Sequence, residues 1–241
     1  QPASNQWLRL MARNFTPHTQ IVLGYSGYER GKGWLHKRIS FNTLFTSLRY
    51  LGFALAGKPY MGLGRNLAYR KELFFKQKGY STHLNLQRGE DDLFINQIAN
   101  TENTRVETNA RAIMRMQPIE RYKDWKEERV SYMATARYYK GAQRYLLGFE
   151  TCSRLLFYVA CIASIVFGII HSHWLVAGIA FFIWLLRYTV QAIVINKTAT
   201  DQEETRHYSF SLLLFDLLQP LQTLQLKLYR LYRGKGDFMR R

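Results

Sequence analysis

A mixed α/β domain followed by an α-helical transmembrane region is the fold class that the sequence predicts. Three observations carry that prediction. Leu155 to Leu186 contains no Asp, Glu, Lys or Arg over 32 residues, longer than the roughly 20 apolar residues that one upright span needs. The segment before it mixes helical apolar spacing with short β-type runs. The charge is lopsided, with 34 Lys plus Arg against 17 Asp plus Glu. The resulting +17 attracts phosphate-bearing partners, and nucleic acid, anionic lipid and nucleotide-sugar are the candidate classes. Hydrophobic residues at 47% and charged residues at 21% exclude a disordered, collagen-like or disulfide-scaffold chain. Cys152 and Cys161 lie beside or inside the apolar run and read as neither a redox pair nor a zinc site. Residues 1–145, 146–200 and 201–241 are therefore expected as an α/β domain, a transmembrane hairpin and a tail of amphipathic interfacial helices ending in a basic segment.

Within the first part, Ile39 to Ala56 reads as a helix with Leu44, Leu48, Leu51 and Leu55 on one side, stopped by Gly57-Lys58-Pro59. Tyr60 to Ala68 carries Gly62 and Gly64 and reads as a turn entering a short strand, and Lys71 to Lys78 as a helix closed by Gly79. Arg105 to Met116 alternates weakly and reads as one strand ended before Pro118, with a helix resuming near Tyr122. The apolar run is interrupted at His171-Ser172-His173, giving spans at about Thr151 to Ile170 and Trp174 to Ile195. Two histidines are too few ligands for a closed metal site, so an interfacial polar turn is expected. Arg187 is expected to snorkel toward the headgroups.

Lys140, Arg144 and Arg154 precede the hairpin, Lys197 and Arg206 follow it, and the turn between holds no Lys or Arg, so both ends are expected in the cytoplasm. Beyond it, Pro220 is expected to break or kink the helix. Leu221, Leu224, Leu228 and Leu231 then share one face, the pattern of a helix lying in the membrane interface. Six of the last fifteen residues are Lys or Arg, which suits an anionic leaflet.

The sharpest polar cluster is Gly89-Glu90-Asp91-Asp92-Leu93-Phe94, with three acids at the head of an apolar helix. Acids there complement the helix dipole and bind its free amides. Mutual repulsion is the alternative reading, raising one pKa and leaving its neighbour ionised, which suits a general base.

The order Gly62-Leu63-Gly64-Arg65-Asn66-Leu67-Ala68-Tyr69-Arg70-Lys71, Gly79-Tyr80, Gly89-Glu90-Asp91-Asp92-Leu93, a strand, Pro118, then Trp125 and Arg129 resembles the second half of a family 2 glycosyltransferase. The resemblance covers about residues 1 to 145 and the placement of the hairpin. It implies the second half of a GT-A fold and an inverting transfer from a nucleotide-sugar donor to a saccharide or lipid-linked acceptor, in the synthesis of cell-envelope or exopolysaccharide glycans at the inner membrane. By position the catalytic base falls on Asp91, with Asp92 the alternative. Glu90, Gly64, Arg65, Asn66, Lys126 and Arg129 are the implied substrate-binding residues.

The family's Gln-x-x-Arg-Trp motif is matched by Lys126-Glu127-Glu128-Arg129-Val130, in which only the arginine survives. That departure favours transfer of one or few sugars over a processive polymerase. The plain alternative for Arg129 is a solvated cation paired with Glu128 or Trp125. The family's Asp-x-Asp, which holds Mg2+ or Mn2+ on the donor diphosphate, has no counterpart following a buried strand, so the chain is expected to be the C-terminal part of a longer enzyme and to carry no metal ligands of its own. A competing class is an inert membrane scaffold or lipid-linked saccharide-binding protein. The interleaved Tyr25, Tyr28, Arg30, Lys32, Trp34, His36, Lys37 and Arg38 would suit single-stranded nucleic acid, but two membrane helices argue against a nucleic-acid partner.

Overall fold

A computed structural model of the protein describes residues 1–81, 89–203 and 206–233. The molecule is mixed α/β, dominated by helix, with two small sheets and two long apolar helices. The chain begins with α1 (Trp7–Ala12), and Ile21–Gly24 forms β1, the central strand of a three-stranded sheet. All four residues of β1 are buried, which fits a strand covered on both faces. It runs antiparallel to β3 (Leu67–Tyr69), with Ile21 opposite Tyr69, and parallel to β4 (Thr104–Glu107), with Gly24 opposite Glu107. A second ladder pairs β2 (Ser26–Tyr28) with β5 (Met114–Met116) in parallel.

The strand expected from Arg105 to Met116 is therefore two strands with a 3-10 turn between them at Ala110–Ala112. The split follows its partners, because β1 and β2 are themselves separated at Tyr25. Buried Glu107 fixes the break. Its carboxylate accepts from Arg13 (3.0 Å), from Asn14 (2.7 Å) and from the Asn109 amide (2.8 Å), while the Asn109 side chain accepts from the Arg111 amide.

Helix α2 spans Trp34–Leu55, starting a turn earlier than its apolar spacing suggests, directly after Gly33 at φ 90°. Leu44 and Leu51 are buried as expected, Leu48 is partly so, and Leu55 at the end is exposed. Buried Tyr50, off that stripe, donates to the Gly24 carbonyl at 2.8 Å and ties the helix to β1. Helices α3 (Lys71–Lys76), α4 (Glu90–Ile98) and α5 (Tyr122–Thr135) complete the domain.

Helices α6 (Gln143–Ile170) and α7 (Trp174–Asp201) pack as an antiparallel pair, each long and apolar enough to cross a membrane. Both outrun their expected bounds, since α6 begins before Thr151 and α7 passes Ile195. Only 11% of each apolar window is buried inside the protein, so these helices turn their side chains outward rather than forming the core of a soluble hairpin. Arg187 does not snorkel. Its guanidinium pairs with Asp216 at 3.2 Å and lies 4.4 Å from the Phe157 ring centroid.

Pro220, expected to break or kink the helix, does not end it: α8 (Phe210–Arg233) runs as one element with Pro220 inside. Packing holds it on both sides of the proline: Phe215 lies in the main core with Phe41, and Leu226 packs against Val130 and Ala134 of α5. Leu221, Leu224, Leu228 and Leu231 are exposed together, as their spacing indicates. The basic tail beyond 233 lies outside the described residues.

Candidate active site

Two short motifs far apart in sequence meet at one point. The segment Gly62 to Asn66 leaves α2 through Pro59, turns once as a 3-10 helix at Gly64–Asn66 and enters β3. Asn66 pins that turn. Its amide nitrogen donates to the carbonyls of Tyr25 (2.6 Å) and Ala112 (2.8 Å), and its oxygen accepts from the Trp7 indole at 3.0 Å. With both donors and the acceptor engaged and 1% exposure, Asn66 is a scaffold residue rather than the substrate contact expected of it.

The turn so fixed aims the Gly64 amide at the Asp91 carboxylate, which accepts its hydrogen. A Cβ at position 64 would sit 2.6 Å from the Asp91 oxygen, so only glycine permits this approach. On the other side, α4 starts from Gly89 in the left-handed conformation (φ 88°), where a side chain would collide with Thr135. Burial raises the Asp91 pKa, and hydrogen bonds from Gly64 and from amides at the helix head oppose the rise. Capping and chemistry are thus not exclusive alternatives for Asp91.

Asp92 points elsewhere. It is 1% exposed, and one oxygen accepts from the Tyr139 hydroxyl at 2.6 Å and the Thr135 hydroxyl at 2.8 Å. The other oxygen is buried without a partner among the described residues. Burial pushes its pKa up to about 7, with the Asp91 charge a lesser contributor. Repulsion between neighbouring acids, expected to split their pKa values, is therefore secondary to desolvation.

Asp92 lines a cavity of about 300 Å³, the low end of the range for small-molecule sites. Its walls come from α2, α5, the start of α6 and the middle of α8. Arg65, Arg129 and Arg49 line it among the aromatic rings of Tyr28, Tyr60 and Tyr132. Arg65 pairs with Glu128, donates to the Tyr28 hydroxyl at 3.2 Å and has the Tyr28 and Tyr132 rings within 5.8 Å. This pair links the Gly-rich turn to α5, and it uses the glutamate that sequence proximity assigns to Arg129.

Arg129 is no solvated cation. Its Nη1 reaches only the Thr46 hydroxyl, at 3.3 Å, and its Nε is buried and bonds to nothing among the described residues. Burial lowers its pKa, and the nearby Arg49 adds to the effect. Lys126 lies away from the cavity, its ammonium 3.2 Å from the centroid of the Tyr229 ring on α8. Glu90 heads α4 and does not line the cavity either. The structure thus unites Gly64, Arg65, Asp91, Asp92 and Arg129 around one cavity and its margin, and leaves out Asn66, Lys126 and Glu90.

Sequence reasoning misses Glu128, Arg49, Thr135 and Tyr139. Glu128 has a signal, standing beside the motif arginine; Thr135 and Tyr139 have none, because only the fold brings them to Asp92.

Among the described residues no group of three His, Cys, Asp or Glu side chains could hold a metal. Asp91 and Asp92 turn to different partners, so these residues do not fit a divalent cation. The chain matches no protein-family model, no curated protein and no solved structure.

Proposed function

We propose that the protein is a membrane-bound inverting glycosyltransferase of GT-A type, taking a sugar from a nucleotide-sugar donor to a saccharide or lipid-linked acceptor in cell-envelope or exopolysaccharide synthesis. The observation that carries this reading is the Gly64–Asp91 contact. It joins the two motifs on which the resemblance rests, beside a cavity with cationic and aromatic walls.

In this reading the acceptor hydroxyl attacks the anomeric carbon as the bond to the donor diphosphate breaks. Asp91 takes the hydroxyl proton, and the electron pair leaves on the diphosphate. The Gly64 amide holds the carboxylate in one orientation, which reduces the reorganisation needed at the moment of transfer. The divalent cation expected on the donor falls to residues other than those described, and no step is assigned to it. Helices α6 and α7 cross the inner membrane with both flanks cytoplasmic, where nucleotide-sugars are made. The Lys and Arg residues on those flanks and their absence from the turn support that orientation.

Asp92 is the second assignment for the base, favoured by its unpartnered oxygen and its pKa near 7. Sugar transfer by membranes carrying the full-length protein separates the two. Asp91→Asn is expected to lose at least about a hundredfold in rate, with Asp92→Asn retaining most of it. The reverse pattern moves the base to Asp92. Wild-type rates in both variants would take the base from both aspartates, and no transfer by the wild-type protein itself would leave an inert lipid-linked saccharide-binding protein or scaffold.

A further inference from the structure

The cavity beside Asp92 has an excess of positive charge that the described residues do not neutralise. Four cationic side chains line it, Arg49, Arg65, Arg129 and Lys227, against the two carboxylates of Asp92 and Glu128. Glu128 is committed to Arg65. Arg49 pairs with Glu150 at 3.7 Å, and that glutamate also serves Arg154. Arg129 has no carboxylate partner among the described residues, and a buried guanidinium without a counter-charge is costly.

Two residues that line the cavity each carry a buried donor with no partner among the described residues: Arg129 at its Nε and Gln222 at its side-chain nitrogen. Asp92, the one lining carboxylate not already paired, turns its bonded oxygen to Thr135 and Tyr139 rather than to Arg129. A partly open, cationic cavity whose lining residues carry unpaired donors is complementary to a compact, multiply charged oxyanion, and phosphate is the group that guanidinium geometry fits best.

The wall opposite the sheet comes from the membrane-side helices. Leu147, Gly148 and Thr151 of α6 and Gln219, Gln222 and Leu226 of α8 line the cavity there. Just beyond them the outward residues are apolar: Leu146 and Phe149 on α6, Leu221 and Leu224 on α8. Gly148 has open space where a side chain would stand, so α6 leaves a gap beside the cavity. A phosphate held at Arg129 would therefore have apolar surface next to it, which suits a hydrocarbon chain and not a nucleoside.

We infer that this cavity holds the phosphate of a lipid-linked acceptor, gripped by Arg129, Arg49 and Gln222, with its hydrocarbon chain leaving between α6 and α8. The assignment rests on the glycosyltransferase reading and narrows its acceptor class to phosphate-bearing lipids over neutral saccharides. Donor diphosphate and free phosphate share the same chemistry, and the test separates them.

Binding is measured on the full chain in detergent without any donor, so that its outcome is independent of sugar transfer. The probes are an isoprenyl monophosphate, the matching isoprenyl alcohol, inorganic phosphate and uridine diphosphate. The isoprenyl phosphate is expected to bind and raise the thermal midpoint, and the alcohol to bind at least about tenfold more weakly, one charge-assisted hydrogen bond or more being lost. Arg129→Met, which removes a buried charge without leaving a hole, is expected to fold and to lose the preference for the phosphate. Gln222→Leu is expected to weaken the same probe by a smaller factor and serves if Arg129→Met does not fold. Equal binding of alcohol and phosphate would overturn the inference. So would Arg129-dependent binding of uridine diphosphate that excludes the lipid, which would make this the donor site, or inorganic phosphate binding as tightly as the lipid. A protein that binds the lipid phosphate in this way but transfers no sugar would refute the proposed activity and leave the site standing.

Discussion

The Gly64 amide donates its hydrogen to the Asp91 carboxylate, joining a 3-10 turn and the head of a helix that are 27 residues apart in the chain. The contact depends on the missing side chain at Gly64 and on the turn that Asn66 anchors to two carbonyls. It places Asp91 by backbone rather than by another side chain, and backbone cannot swing away.

Gly64→Ala tests that dependence. A methyl group would stand 2.6 Å from the Asp91 oxygen and must push the carboxylate aside. Displacement of a base by about 1 Å costs about a hundredfold in rate. The expected result is a fall in kcat with KM for the donor little changed and the thermal midpoint nearly unmoved. An alanine enzyme of wild-type kcat would show that Asp91 does not work from this position.

Asp92 makes stability depend on pH. Its folded pKa is about 7 against an ordinary 3.8, so between those values the folded state holds a proton that the unfolded state releases. Stability from this group is fully present below pH 3.8 and is lost as pH rises toward 7. The loss is bounded at ~4 kcal/mol, because each tenfold difference in proton affinity between the two states is worth about 1.4 kcal/mol. Asp92→Asn is expected to flatten this part of the profile, since its amide oxygen can still accept from Thr135 and Tyr139. Thermal midpoints of both proteins in detergent, from about pH 4.5 to about pH 7.5, check it. The variant must gain steadily on wild type as pH rises, and parallel profiles would show that Asp92 does not titrate in this range.

Much of this site is written in local spacing. Gly64 and Arg65 lie within one turn, and Asp91 and Asp92 within another, so short-range patterns identify them before any fold is known. Their partners are not local. Arg65 finds Glu128 at a separation of 63 residues, and Asp92 finds Tyr139 at 47. Ion pairing across elements leaves no periodic trace in a sequence. Arg129 is the clearest case: Lys126, Glu127 and Glu128 give its helix a polar look, yet its Nε is buried and bonds to nothing among the described residues. Packing also accounts for α8, where Pro220 taken alone signals a break or a kink and contacts on both sides carry the helix through it. The two long apolar helices are the most legible, because a run of 32 residues free of Asp, Glu, Lys and Arg needs no partner to be recognised.

Asp216 on α8 ties the helical region together. It is 3% exposed and accepts from Arg154 of α6 at 2.7 Å and from Arg187 of α7 at 3.2 Å, with the Tyr158 hydroxyl as a third donor. Removing the acid alone leaves Arg187 without its carboxylate and Arg154 with Glu150 only, a cost of about 3 to 5 kcal/mol where a buried pair is broken. Asp216→Leu is expected to lower the midpoint of aggregation in detergent sharply, while Asp216→Leu with Arg187→Met recovers part of the loss. A single variant as stable as wild type would mean that α8 is held by its apolar contacts with α2 and α5 alone.

Topology follows from charge, and it decides whether Asp91 can meet its donor. The turn at His171-Ser172-His173 has no Lys or Arg, whereas Lys140 and Arg154 stand before it and Lys197 and Arg206 after it. Such cations resist transfer across a bilayer, and the proposed orientation keeps them in the cytoplasm. In the proposed orientation Ser172, exposed at the tip between α6 and α7, lies outside the inner membrane, and Thr198 near the end of α7 lies inside. With Cys152 and Cys161 replaced by serine and alanine, a cysteine at Ser172 is expected to react with an impermeant maleimide added to spheroplasts. A cysteine at Thr198 is expected to react only after the membrane is opened. The inverse pattern would put α4 and its Asp91 outside, beyond the reach of cytoplasmic nucleotide-sugars, and the proposed transfer would then require a donor of another kind, such as a sugar already carried on a lipid.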